Sequence, residues 1–267
     1  MNKAAIILAA GKGARMNSDL PKVAHHAAGK PLIEWVVRAA SGAGIDRIVL
    51  VVGHGKDVVK SLFEGSGYPI QYAEQNQQLG TAHAAQMAET TLAGFDGDVF
   101  VLVGDGPLIR PEVLTAIHER HVQAGAAATL ATAVLDDPTG YGRVVRDHAG
   151  AFKGIVEQKD ATPEQLEIRE INPSLYCFRA EALWDALRRI EPSPVTGELY
   201  ITDVPALLMA QGDLVEVIPA AGPEEAMSVN TPEQLREVEA VLEAREAAES
   251  EPGAESALRG AARGEGG

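Results

Sequence analysis

The chain has a single cysteine, Cys177, so no internal disulfide can form and a reducing compartment, the cytoplasm, is the expected setting. Aromatics are scarce at 4%, and no stretch approaches the roughly 18 apolar residues of a membrane span. The apolar start, Ala4 to Ala10, is short and runs into Gly-Lys-Gly rather than a small-residue cleavage site, so it reads as a strand and not a signal peptide. Basic charge is also short, with 23 Lys and Arg against 38 Asp and Glu. The resulting net charge of −15 excludes a general nucleic-acid binder, because phosphates are repelled except at a local basic patch. Nine Glu against four Arg fall in the last 35 residues, and the remainder is still acidic. No internal repeat is present. At 267 residues the chain can form one large domain or a domain with a lobe.

What the chain does have is Leu8-Ala9-Ala10-Gly11-Lys12-Gly13-Ala14-Arg15-Met16, then Pro21-Lys22, directly after the apolar run Ala4 to Leu8. That run has the length of a buried parallel strand. Gly11 and Gly13 permit positive φ and close approach of backbone N–H groups to an anion. Lys12, Arg15 and Lys22 surround the turn with cations. A polyphosphate needs such a cradle, although a tight turn with solvated cations would use the same residues.

Helices are predicted over Pro31 to Ala43, Lys56 to Phe63, Thr81 to Thr91, Pro111 to Gln123, Ala180 to Arg189 and Val204 to Ala210. Strands are predicted over Arg47 to Val52, Ile70 to Ala73, Val99 to Val103, Ala127 to Val134 and Val215 to Ile218. The alternation predicts an α/β fold with a parallel sheet, helices on both faces, and ligands beyond the carboxyl ends of the strands. Short strands around Gly142 to Val145, Phe152 to Glu157 and Ile171 to Phe178 break the alternation and predict a small mixed lobe. Tyr141, Arg143, Glu157, Lys159 and Asn172 are placed to face the cleft from it, though Glu157 to Asp160 also reads as an ordinary charged turn.

Two further stretches share the glycine loop's rim. Gln75 to His83 is rich in amides, which present both donors and acceptors and suit a neutral nucleobase, or else form a solvated loop capped by Thr81. Asp105, after the most apolar strand, sits where Mg²⁺ meets phosphates, or starts a Gly-Pro turn. Before the last helix, Thr231 is a candidate N-cap with Pro232 at the first position; Asn230 belongs either to the cap or to a metal site.

With these stretches in hand, the chain closely resembles bacterial-type UDP-N-acetylglucosamine pyrophosphorylases, the N-acetylglucosamine-1-phosphate uridylyltransferases. The matching pieces run in family order over roughly residues 4 to 245. They include Leu8 to Met16, Leu20 to Val23, Gln78 to His83, Gly104-Asp105, Thr139-Gly140-Tyr141-Gly142-Arg143, Ile155-Val156-Glu157, Glu170-Ile171-Asn172 and Tyr200-Ile201-Thr202-Asp203. The glycine loop alone is common to sugar-nucleotidyltransferases; the amide loop and the Asp-Asp-Pro-Thr-Gly-Tyr-Gly-Arg run narrow the resemblance to this branch.

The resemblance implies a Rossmann-like, glycosyltransferase-A-like nucleotidyltransferase domain over 1–231, with a sugar-side lobe at about 136–200. A C-terminal helix over 232–248 and a disordered acidic tail over 249–267 would follow. Arg15 and Lys22 would act on the phosphates of UTP with Gly11 and the backbone of Ala9 and Ala10; Gln75, Gln78, Gly80 and Thr81 would hold the nucleotide's base end. Asp105 and Asn230 would hold Mg²⁺, with Asp105 counted among the catalytic groups. Gly142, Glu157, Asn172 and Thr202 would bind the sugar and its N-acetyl group. UTP and a sugar-1-phosphate are the implied partners, with neither nucleic acid nor membrane. Many members continue into a left-handed β-helix that acetylates glucosamine-1-phosphate and builds a trimer. The polar tail here leads instead to the expectation of no acetyltransferase activity, and a monomer is compatible with the sequence.

Four departures stand out: Val103 for Tyr, Gly106 for Val, Pro173-Ser174 for Thr-Gly, and Ser228-Val229-Asn230-Thr231 for Gly-Val-Asn-Asn. They cluster on the sugar side and leave open a different sugar-1-phosphate or a catalytically idle nucleotide-sugar binder. A Rossmann dehydrogenase would need a third glycine where Met16 stands, and a P-loop kinase a Ser or Thr where Gly13 follows Lys12.

Overall fold

The computed structural model describes residues 2–250. Strand β1 (Lys3–Ala9) is apolar on both faces, as a central parallel strand must be. Ala5, Ile7 and Ala9 point into one core cluster and Ala4 and Ile6 into the other, following the two-residue period. A hairpin of β2 (His26–Ala27) and β3 (Lys30–Pro31) leads to α1 (Leu32–Gly42), so Pro31 lies just ahead of the helix. The alternation continues through β4 (Arg47–Val52), α2 (Lys56–Ser61), β5 (Ile70–Glu74), α3 (Thr81–Met87), β6 (Asp98–Val103) and α4 (Pro111–Ala124).

The strand expected over Ala127 to Val134 is two strands. β7 (Ala128–Ala131) stays in the main sheet, while β8 (Ala133–Val134) crosses into a second one. Between them Thr132 donates its N–H to Ile218 and accepts at its carbonyl from Ala221, which turns the chain. The second sheet, in the order β10-β9-β11-β8, contains β9 (Gly142–Arg146), β10 (Phe152–Val156) and β11 (Glu170–Asn172), with a single-turn α5 (Pro163–Leu166) between β10 and β11. The strand expected over Ile171 to Phe178 is likewise divided. Pro173 lacks an N–H for the ladder, and β12 (Tyr176–Arg179) rejoins the main sheet antiparallel to β6 and β7.

Helices α6 (Ala180–Leu187) and α7 (Val204–Ala210), strand β13 (Val215–Ile218) and helix α8 (Pro232–Ser250) complete the chain. The main sheet has the order β13-β7-β12-β6-β1-β4-β5 and is parallel apart from β12. Val36 and Val37 of α1 and Leu114 and Ile117 of α4 cover one face; Ala85 of α3, Leu183 of α6 and Leu208 of α7 cover the other. Successive connections from β1 leave to β4 on one side and β6 on the other, so a crevice opens beyond their carboxyl ends.

α8 reaches back to the first loop. Val238 and Leu242 pack with Met16, Leu32, Leu108 and Val229 in a third cluster, and Arg245 donates to the Leu108 carbonyl at 2.8 Å. This helix runs through Ser250, past the point at which the tail was expected to begin; the rest of that tail lies outside the described residues. Among the described residues no helix is long and apolar enough to cross a membrane.

Candidate active site

Leu8 pairs with Val103, and the N–H of Gly104 donates to the Leu8 carbonyl at 2.9 Å, so the loops after β1 and β6 leave the sheet side by side. In the first loop Gly13 has φ 66°, but Gly11 does not take the positive φ expected of it. The chain turns later, where Gly13 enters a 3-10 turn over Ala14–Met16. A β-carbon at Gly11 would meet nothing within 4 Å, so this position gives open access rather than relief of strain. At Gly13 it would strike the stem of Lys22. Buried Met16 anchors the far end of the loop in the α8 cluster, while Lys12 and Arg15 remain exposed.

Lys22 follows Pro21 and projects into the crevice. Its Nζ pairs with Asp105 Oδ2 and donates to Asn230 Oδ1 at 2.9 Å. Arg15 donates to the same Asn230 oxygen, also at 2.9 Å. The Lys22 and Asp105 side chains are 17% and 13% exposed, so the pair is shielded without being sealed. The two readings of Asn230 separate here: Thr231 Oγ1 accepts from Gln234 N at 3.3 Å and caps α8, leaving the Asn230 carbonyl to face the cations. Asp105 and Asn230 thus offer two hard oxygen donors converging on one positive charge, a donor set suited to Mg²⁺ with phosphate and water completing its shell.

The amide loop is strapped onto the glycine loop. Gln78 Nε2 donates to the Ala10 carbonyl at 2.6 Å. The side chains of Ala9 and Ala10 are buried, so only their backbone can serve a ligand. Gln75 is buried; its Nε2 donates to the Gly80 carbonyl at 3.1 Å and lies 2.9 Å from His83 Nδ1, which commits its N–H end to the loop's own shape. Gly80 has φ 115° and lies against the backbone of Leu199, where any β-carbon would collide. Thr81 is not a cap: its Oγ1 accepts from Ile201 N at 2.9 Å and ties α3 to the Tyr200–Asp203 turn.

On the opposite wall, Thr202 Oγ1 donates to Glu157 Oε1 at 3.0 Å, and Asn172 pairs in register with Gly142. Asn172 Nδ2 donates to the Tyr176 hydroxyl at 2.6 Å while its oxygen accepts from Ser174 N at 3.1 Å. The four residues expected on the sugar side therefore form one wall. Arg143 departs from its expected place facing the cleft. It is 2% exposed and points into the small lobe, where its guanidinium donates to the Tyr141 carbonyl, Gln158 Oε1 and the Leu166 carbonyl. Lys159 is exposed and pairs with Glu198 at 3.4 Å.

The MobA-like NTP transferase domain family matches residues 5–192. The chain belongs to that family. It is a nucleotidyltransferase with the mostly parallel α/β sheet described above. It is similar to the bifunctional protein GlmU of Pelotomaculum thermopropionicum, 47% identical over 245 residues, covering 92% of this chain and 53% of that protein. The corresponding protein of Geobacter metallireducens is 48% identical over 234 residues, with 88% and 49% covered. That of Geobacillus thermodenitrificans is 43% identical over 241 residues, with 90% and 52% covered. The chain thus spans about half the length of the curated relatives it matches.

In this MobA-like NTP transferase the two walls differ in their electrostatics. Burial pushes the Glu157 carboxyl above the usual carboxylate range, opposed by the Thr202 hydrogen bond and reinforced by Asp203, Asp160 and Glu198. Burial also raises Asp203, with Asp160 adding to it. Tyr176 is fully buried and reads in the sequence only as part of a strand. Its hydroxyl supports Asn172, and its phenol is pushed strongly upward by burial. Ser228, counted among the sugar-side departures, instead accepts from Asn230 Nδ2 beside Lys22, a contact set by loop conformation that no local pattern carries.

Proposed function

We propose that the chain transfers UMP from UTP to N-acetylglucosamine-1-phosphate, giving UDP-N-acetylglucosamine and pyrophosphate. The observation that carries this reading is the convergence of Arg15, Lys22, Asp105 and Asn230 beside an open glycine loop. Two cations and two oxygen ligands at one point suit a triphosphate arriving with Mg²⁺. Family membership and the relatives' similarity support nucleotidyl transfer, and the amide loop and the Glu157–Asn172–Thr202 wall support the two substrate ends.

The sugar-1-phosphate oxygen attacks the α-phosphorus of UTP; a P–O bond forms there and the bond to pyrophosphate breaks. The attacking oxygen is already anionic at neutral pH, so no side chain has to remove a proton. The chain's task is to align two polyanions, which is worth about 7–11 kcal/mol of barrier when orientation is complete. Lys22 and Arg15 offset charge on the phosphates. Asp105 and Asn230 would hold Mg²⁺, which when bound supplies further positive charge against the phosphates. Glu157, Asn172 and Thr202 would orient the sugar from the opposite wall.

A pyrophosphate-release assay over nucleoside triphosphates and sugar-1-phosphates tests the proposal. Turnover with UTP and N-acetylglucosamine-1-phosphate, lost by about a hundredfold or more in Asp105→Asn with the fold retained, is expected. A different sugar-1-phosphate is the second reading, favoured by Ser174, which holds φ 61° directly after Pro173 on the sugar wall. Turnover with UTP and glucose-1-phosphate alone would select it. UTP binding without turnover for any sugar would select an idle nucleotide-sugar binder.

A further inference from the structure

We propose that Ser228 is a positioning residue that sets the orientation of the Asn230 amide, turning its oxygen toward the cation place shared with Asp105. The inference rests on the reading of Asn230 as a metal ligand. An amide side chain carries a donor end and an acceptor end, and rotation by half a turn exchanges them. Only the oxygen can ligate a cation. With the ends exchanged, N–H groups would face Lys22 Nζ and Arg15.

Ser228 Oγ accepts from Asn230 Nδ2 at 3.1 Å, on the side away from Lys22 and Arg15. The Asn230 backbone is held independently, its N–H donating to Gln234 Oε1 at 2.8 Å. Ser228 is itself placed from two directions. Its N–H donates to the Tyr141 hydroxyl at 3.4 Å, and the next residue, Val229, donates its N–H to the Asp105 carbonyl at 2.9 Å. A hydrogen-bonded path thus runs from the small lobe through Ser228 and Asn230 to Lys22 and Asp105. Ser228 stands where the resembled enzymes carry Gly, so the hydroxyl contact belongs to this chain's own sequence. Its backbone is not left-handed, and Ala can replace it without strain.

Two measurements on the full chain test this. In metal-free protein, one of the two Asn230 side-chain N–H protons, assigned by its loss in Asn230→Asp, is expected to be protected from exchange and to lose protection in Ser228→Ala. Titration with Mn²⁺ alone, followed by electron paramagnetic resonance, is expected to show about three- to tenfold weaker binding in Ser228→Ala, the loss of one hydrogen bond. Ser228→Thr restores both. In turnover, the KM for Mg²⁺ rises while kcat at saturating metal stays near wild type. An Asn230 amide unaffected by Ser228→Ala, or equal weakening in Ser228→Ala and Ser228→Thr, overturns the proposal. A wild-type chain whose amide responds to Ser228→Ala but which binds no Mn²⁺ overturns the metal reading beneath it, and with it the role assigned to Ser228 toward the metal.

Discussion

The backbone N–H of Val229 donates to the carbonyl of Asp105 at 2.9 Å, joining the segment before α8 to the end of β6. This bond brings Asn230 beside Asp105 and leaves Lys22 between their oxygens. The cluster therefore depends on backbone geometry from three distant parts of the chain.

Lys22→Met keeps the aliphatic stem and removes the ammonium. Hydrogen bonds to charged groups contribute about 1.5–3 kcal/mol, so kcat/KM for UTP should fall by roughly 10- to 100-fold. Steady-state kinetics with varied UTP check this, with cooperative melting as the control. A variant within twofold of wild type would remove Lys22 from phosphate recognition.

Gly80→Ala places a methyl on a residue with φ 115° against the Leu199 backbone. The strain should cost about 1–3 kcal/mol, lower the melting temperature and raise the KM for UTP, because the loop that holds Gln75 and Gln78 must shift. Gly11→Ala should melt like wild type, since its methyl meets nothing within 4 Å. Equal melting of both variants would refute the distinction between these glycines.

Glu157→Gln should stabilise the protein at pH 7 while raising the KM for the sugar-1-phosphate. Burial raises the folded-state pKa of Glu157 above the ordinary carboxylate value of 4.5, so the folded state holds the proton longer than the unfolded chain. Its ionisation therefore costs stability as pH rises from 4.5 through the raised value. Removing that cost should yield about 0.5–2 kcal/mol and flatten the pH dependence of unfolding over the same window. Denaturant titrations at several pH values measure it; a variant destabilised at pH 7 would contradict the burial account.

At the opposite end of the sheet, Asp98 accepts from His118 Nε2 at 2.9 Å and lies 3.4 Å from His121 Nε2. Burial holds the His118 pKa below 6.5 despite Asp98, so the unfolded chain takes up the proton first as pH falls. Stability should drop from pH 6.5 downward until the folded-state His118 also titrates, and His118→Gln should make that decline shallower. Melting temperatures between pH 7 and about 5 check this; identical slopes for variant and wild type would exclude His118 as the cause.

Much of the site was legible because its signals are local. Gly13 and the apolar runs before Gly11 and Asp105 reflect the backbone freedom and burial that each short segment needs, and those needs are written in neighbouring residues. The misread strands share a different cause. Ala127 to Val134 and Ile171 to Phe178 are each mostly apolar with a few small polar residues between, and periodicity alone does not reveal that the chain changes sheets at Thr132 and after Pro173. A guanidinium normally seeks water, which places Arg143 at the cleft on sequence grounds, whereas inside the small lobe three acceptors take hydrogen bonds from its two terminal nitrogens.

By itself the sequence determined the alternation of strands and helices from β4 through α4, the rim on which the loops gather and the family resemblance, since side-chain period and glycine placement act within a few residues. Only the tertiary structure decided that β12 returns antiparallel, that Asn230 turns its oxygen to Lys22, and that Ser228 meets its amide. Lys22 and Asn230 are 208 residues apart in the chain. Their meeting is set by how the whole sheet and α8 pack, for which no local pattern carries the information.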